Sequence, residues 1–368
     1  MVSYQQCVRC VMDTTDPEIQ FDENGYCNHC TNFLASVKPM IEQRIKNHEI
    51  KKILNEIRQK GKGKRYDCIL GISGGTDSSY TAYLIKQYGL RVLAVHMDNG
   101  WDSETSVKNI RQLLQKLAID YESYVLDWNQ FRDIQLSFLK ASVPEIETPT
   151  DIAILSTLHK VALKHGVKFI ISGGNYATEG ILPRSWHYNA KDLKYFKTIH
   201  KLYGTVSLKG FPLFGFWDEV YCKFFKGIRI IYILNYLSYD KMKAKEILKS
   251  ELDWKDYGGK HYESRITAFV QSYILPVKFN IDYRKATFST QICNGTLDRN
   301  EAIKELQTLP YKEEQVEEEI MYIAKKFGLT IETLKNILST PPKWYFDYPN
   351  DARMLSSMYS LYRKYFSK

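Results

Sequence analysis

No stretch of this chain is long and apolar enough to span a bilayer. A spanning helix needs about eighteen nearly uncharged residues, and the most apolar later segment, residues 220–237, is broken by Lys223, Lys226 and Arg229. That segment reads as a buried or interface helix. The opening Met-Val-Ser-Tyr-Gln-Gln-Cys lacks the basic-then-apolar layout of a secretory leader, so the expected location is cytoplasmic. No internal repeat or low-complexity tract appears, which sets aside repeat arrays and disordered scaffolds. Positive charge is not spread along the chain either. Of the net +9, an excess of seven sits in residues 38–65, and the remainder is close to neutral.

The most informative stretch follows that basic segment. An apolar run from Cys68 to Ile72 meets Ser73-Gly74-Gly75-Thr76-Asp77-Ser78-Ser79, and a helical pattern continues from Tyr80 to Lys86. A short apolar run of this kind reads as a buried parallel strand. Glycines let the backbone turn sharply and bring its N–H groups close to an anion. Ser78 and Ser79 fall at the helix start, where free N–H groups and the positive dipole end favour phosphate. No Gly-Lys-Ser/Thr closes the loop, which excludes a Walker loop.

Four of the seven cysteines stand in two pairs, Cys7-x-x-Cys10 and Cys27-x-x-Cys30. That spacing matches a tetrahedral zinc site, and Asp22-Glu-Asn-Gly25 between the pairs reads as a hairpin turn, so the segment is expected to be a zinc ribbon or knuckle. Four thiolates leave no open position, which makes the metal structural. His29 is expected to face solvent, and Cys68, Cys222 and Cys293 to pack in the core. The basic segment carries Ile41, Ile45, Ile53, Leu54 and Ile57 at helical spacing and ends at Gly61-Lys62-Gly63. It is either a linker helix with a solvated face or a docking surface for an acidic partner or an RNA backbone.

Beyond the loop, strands and helices alternate. Strands are expected at residues 91–97, 121–126 and 167–172, with helices at 103–117, 131–141 and 151–165. This order predicts an α/β fold with a doubly wound parallel sheet and ligands at the carboxyl ends of the strands. Three ligand loops converge there: residues 73–79, then Asp98-Asn99-Gly100-Trp101, then Gly173-Gly174-Asn175-Tyr-Ala-Thr-Glu179. Past residue 180 the sequence turns aromatic and mostly helical, suited to a sugar, a base or a protein contact. Gly258-Gly259-Lys260-His261-Tyr-Glu263-Ser-Arg265 is either a loop that closes over phosphates or an ordinary basic turn.

Five segments in order carry a closer resemblance: Cys7-Val-Arg-Cys10-Val-Met-Asp-Thr-Thr, the 73–79 loop, Gly174-Asn175-x-x-x-Glu179, Lys260-His-x-Glu-Ser-Arg265 and Leu275-Pro-x-Lys-Phe-x-Ile-Asp282-x-Arg284-Lys-Ala. Together they resemble the N-acetyl sugar amidotransferases of bacterial O-antigen and related surface-polysaccharide pathways, within the PP-loop ATP pyrophosphatases. The resemblance implies an adenine nucleotide alpha hydrolase-like fold. It also implies ATP-dependent conversion of a sugar acetamido group to an acetamidino group, with ammonia, Mg²⁺ and a nucleotide-linked N-acetylated sugar. A glutaminase subunit and a cyclase-like subunit are the implied partners; nucleic acid is not expected.

In that chemistry Asp77 and Ser78 are the catalytic candidates of the loop, with Lys260 and Arg265 holding phosphate. Ser73, Gly74, Gly75, Ser79, Asp98, Asn99, Gly100, Gly174, Asn175 and Glu179 complete the nucleotide set, and Glu179 is second to Asp77 for Mg²⁺. The expected divisions are 1–36 for the zinc ribbon, 37–65 for a basic linker helix, 66–185 for the ATP pyrophosphatase domain and 186–368 for a mostly helical substrate and partner region. A tRNA thiolase or lysidine-type ligase is the rival enzyme, and a zinc-bearing adaptor the rival of another class. No cysteine lies between Cys68 and Cys222, which counts against sulfur transfer. Nor does any cysteine sit in a nucleophile elbow able to hydrolyse glutamine, so ammonia is expected from the partner.

Overall fold

A computed structural model describes residues 3–187, 189–257 and 263–366. Five parallel strands form one sheet: β1 (Cys68–Gly71), β2 (Val92–Asp98), β3 (Asp120–Val125), β4 (Phe169–Ser172) and β5 (Arg229–Tyr232), in the order β3-β2-β1-β4-β5. Each central strand is apolar on both faces because successive side chains alternate between two cores. Cys68 and Leu70 enter one core with Val92 and Ala94, while Ile69 enters the other with Leu93 and Val95. The chain winds outward from β1 to β3, returns through β4 and winds outward again to β5. The sheet therefore has a topological switch point between β1 and β4, where a crevice opens at the carboxyl ends.

The expected α/β architecture is what the chain adopts, and its C-terminal region is helical, including Glu313–Phe327 and Ile331–Ser339. Two local readings are corrected. Residues 220–237 are not one helix: a short helical turn at Tyr221–Phe225 is followed by β5, which pairs with β4 from Phe169↔Arg229 to Ser172↔Tyr232. The charges that broke the apolar run mark a sheet edge, where Arg229 stays exposed and pairs with Glu56 at 2.6 Å while Ile231 is buried. The basic segment is likewise two helices, Lys38–Lys46 and Glu49–Gly61, broken at His48, whose φ of 51° is left-handed. Among the described residues, no helix is long and apolar enough to cross a membrane.

Candidate active site and cysteine cluster

The 73–79 loop leaves β1 and enters the helix Thr76–Gln87, so its backbone N–H groups gather over the switch point. Gly74 has φ +77°, and a Cβ there would stand 2.6 Å from the Ser106 carbonyl oxygen. A Cβ on Gly173 would stand 2.7 Å from the Ser78 nitrogen, so the loops after β1 and β4 meet backbone to backbone. Ser78 Oγ lies 3.1 Å from Ser73 Oγ and donates to the Gly75 carbonyl at 3.2 Å, which draws the loop into a cup. Asp77 accepts a hydrogen bond from the Tyr239 hydroxyl and lies 3.7 Å from the Lys241 ammonium. Burial and the Asp77 charge push the Tyr239 phenol well above its ordinary pKa, so it remains a donor.

A cavity of about 510 Å³ opens beside this cup, and Ser73, Asp77, Ser78, Asn99, Gly174 and Glu179 line it. Other expected site residues stand elsewhere. Ser79 is fully buried, with a hydroxyl lacking a hydrogen-bond partner among the described residues, and does not line the cavity. Asp98 accepts from the Gly100 N–H at 2.8 Å, and Asn175 accepts from the Thr178 N–H at 2.9 Å, so both shape turns. Gly100 packs against Trp128, which a Cβ would approach to 2.9 Å. Gly75 lies in a narrow cleft beside the loop with Lys241, Tyr257 and Glu263. Arg265 does not line the cavity: its guanidinium pairs with Glu319 at 2.7 Å and lies 3.5 Å from the Tyr322 ring centroid. Lys260 lies outside the described residues. Among them, Lys241 is the lysine placed at the loop, a position that sequence reading missed because its helix, Lys241–Leu252, follows β5 far along the chain.

His96 was also missed. One ring nitrogen faces the Ile72 carbonyl and the other the Asp102 carboxylate, both at 2.8 Å. Burial disfavours its charge, yet the Asp102 bond outweighs this and the pKa is raised. Glu145, Glu147 and Asp151 form an acidic wall of the same cavity. Burial raises Glu145 to about 7; Asp151, on an accessible face of the cavity, is raised to about 7 by desolvation within the cavity and by the Glu147 charge. Both groups bind more protons folded than unfolded between about pH 4 and 7, so their contribution to stability falls as pH rises through that window. His96, with its raised pKa, acts in the same direction. The thermal midpoint of the ligand-free chain is therefore expected to drop from pH 5 to pH 8. Combining Glu145→Gln with Asp151→Asn should flatten that slope; an unchanged slope in a folded double variant would contradict the assignment.

The four N-terminal cysteines converge, all buried, with sulfurs within 4.8 Å of one another. Cys7 and Cys30 sulfurs are 3.7 Å apart, and those of Cys10 and Cys27 3.5 Å. Sulfurs at the corners of a tetrahedron with 2.3 Å metal bonds stand about 3.8 Å apart, so the donor set fits one metal ion. Backbone N–H groups of Cys10 and Cys27 point at the Cys7 sulfur at 3.4 and 3.2 Å, and the Cys30 N–H at Cys27, as thiolates require. His29 does not face solvent as expected: it lies 2.6 Å from Asp16, which also accepts from Ser185 at 2.6 Å. Arg299 donates to the Cys7 and Cys10 carbonyls, tying the cluster to the helical C-terminal region.

Residues 46–141 match the model of NAD synthase, and residues 263–364 match the model of "LPS biosynthesis protein WbpG-like, C-terminal domain". Over these two stretches the chain resembles a PP-loop ATP pyrophosphatase followed by a WbpG-like C-terminal domain. The two matches bear out the resemblance to the N-acetyl sugar amidotransferases. The chain is 38% identical over 105 residues to a GMP synthase [glutamine-hydrolyzing] of Pyrobaculum aerophilum, covering 28% of itself and 20% of that protein. It is 28% identical over 140 residues to a probable mitochondrial tRNA-specific 2-thiouridylase of Caenorhabditis elegans, covering 34% of itself and 36% of that protein. The chain thus spans between a fifth and about a third of these relatives. Among solved structures, the U34-tRNA thiolase NcsA of Methanococcus maripaludis, with its [4Fe-4S] cluster, aligns at TM-score 0.34 and 15% identity, over 83% of this chain and 89% of that one. The NH3-dependent NAD synthetase of Campylobacter jejuni aligns at 0.29 and 18%, over 61% and 93%.

Proposed function

We propose that this PP-loop protein is an ATP-dependent, AMP-forming amidotransferase that converts an N-acetyl group of a sugar to an acetamidino group during surface-glycan synthesis in the cytoplasm. The observation that carries the reading is a phosphate-binding cup opening directly onto a cavity lined by carboxyl, amide and hydroxyl groups and, among the described residues, by no cysteine. That lining suits attack by an amide oxygen and then by nitrogen better than sulfur transfer.

An amide carbonyl is a poor electrophile. In the first step its oxygen attacks the α-phosphorus of ATP, an O–P bond forms, and pyrophosphate leaves into the 73–79 cup beside Lys241. Asp77, with Glu179 on the lining of the same cavity, would hold Mg²⁺, which would supply charge to offset that developing on the phosphates. In the second step ammonia adds to the imidate carbon, AMP departs with the former amide oxygen, and the added nitrogen loses its proton. The Cys7, Cys10, Cys27 and Cys30 cluster would hold a structural zinc ion.

Mass spectrometry of diacetamido nucleotide sugars incubated with the protein, ATP and ammonium tests the reaction, and oxygen exchanged for NH is the expected product. Pyrophosphate release that no N-acetylated sugar stimulates would refute it. Ammonia would come from a partner glutaminase through a cyclase-like subunit, since none of Cys68, Cys222 and Cys293 lines the cavity. The chain alone is therefore expected to use ammonium salts and not glutamine. Equal turnover of both by the isolated chain would remove the partner.

A further inference from the structure

We infer that the end of the cavity bounded by Glu145, Asp151, Trp186 and Tyr283 is the acceptor subsite, built for a ring that carries hydroxyl and amide groups. The inference rests on the sugar reading above and gives it a location. Trp186 is only 2% exposed and lines the cavity, and its indole N–H, itself buried, has no hydrogen-bond partner among the described residues. An indole N–H can only donate, so what completes it must bring an acceptor such as a carbonyl or ring oxygen. The Tyr283 ring stacks on Trp186 at 5.8 Å and 28°, and its hydroxyl donates to the Trp186 carbonyl at 3.1 Å, which fixes the indole in place.

The carboxyl groups supply the complementary half. Glu145 accepts from the Tyr195 hydroxyl at 3.0 Å with one oxygen, and the Asp151 carboxylate has no hydrogen-bond or ion-pair partner among the described residues. Carboxyl groups set beside an indole donor and aromatic rings recognise a ligand that offers both donors and acceptors, as the hydroxyl and acetamido groups of a sugar do. A bare anion would meet the Glu145 and Asp151 carboxyl groups here with no lysine or arginine to offset them, because none lines the cavity among the described residues. The phosphates of a carrier nucleotide consequently lie outside this end.

The test uses saturation-transfer NMR on the full chain with N-acetylglucosamine and its UDP-linked form as probes and AMP as a control ligand. Trp186→Phe keeps the ring and removes the donor; Asp151→Asn keeps the shape and removes the charge. Each is expected to weaken sugar binding about tenfold while AMP binding stays unchanged, and a thermal melt establishes that each variant is folded. Sugar binding unaltered in both variants would overturn the subsite and leave the sugar reading intact. No binding of either sugar to the wild-type chain would overturn both.

Discussion

Asp77→Ala is expected to lower acceptor-dependent pyrophosphate release by about 100- to 1000-fold, the scale of losing one preorganised electrostatic group at a reacting centre. Its carboxylate sits in the first turn of the helix Thr76–Gln87, held by the Tyr239 hydroxyl and facing Lys241. Alanine would remove the proposed Mg²⁺ ligand and, at the same time, the counter-charge that keeps Lys241 over the cup. The fold should survive, because the side chain is partly exposed and no buried charge is left without a partner in the core. Circular dichroism and a thermal melt check that point, and a coupled pyrophosphate assay reads the loss. Asp77→Asn separates the two roles, since it keeps an acceptor for Tyr239 but lacks the charge. Wild-type turnover by a folded Asp77→Ala chain would sink the assignment of the loop.

The second large effect is expected at the cysteine cluster. Cys7→Ser or Cys27→Ser should reduce bound metal from about one ion per chain to a small fraction and cost several kcal/mol of stability, because metal binding is coupled to folding, with apparent energies of roughly 10–16 kcal/mol in isolated zinc fingers. The damage should reach the cavity. Asp16, in the cysteine-bearing segment, accepts from Ser185, and the next residue is Trp186. Arg299 and Ser289 bind the same segment from the helical region, Ser289 accepting from the Val11 N–H at 3.2 Å. Metal loss is therefore expected to raise the KM for the sugar more than that for ATP. Elemental analysis that finds no metal in fresh, reduced protein would remove the claim, as would a Cys7→Ser chain with undiminished metal and an unchanged melting temperature.

Much of this protein is legible from short segments, where the determinants lie within a few residues of one another. The apolar runs of β1, β2 and β4, the glycines at 74 and 75 and the two Cys-x-x-Cys pairs each carry their own physical reason. A strand buried on both faces must be apolar throughout, a left-handed turn needs glycine, and four thiols at metal spacing converge. The same locality explains the misreadings. β5 has the composition of an interface helix until β4 offers it a ladder, and His29 looks solvated until Asp16 folds over it. Arg265 looks like a phosphate ligand until Glu319 and Tyr322 claim it. Asp98 and Asn175 lie at the right strand ends but spend their side chains on the turns that shape the loops.

The sequence by itself determined the first four strands of the sheet, the cup after β1 and the four-thiol cluster, because alternation, glycine conformation and ligand spacing act over a handful of positions. Only the tertiary structure decided which groups face the reaction space. Tyr239 reaches Asp77 across 162 residues, and the carboxyl groups of the helix Thr148–Lys164 and the loop before it share a cavity with Trp186 and with Tyr283 from the helix Tyr283–Asn294. Such pairings depend on how helices pack over the switch point between β1 and β4, where burial, charge and hydrogen bonding are summed over the whole chain rather than over any segment of it.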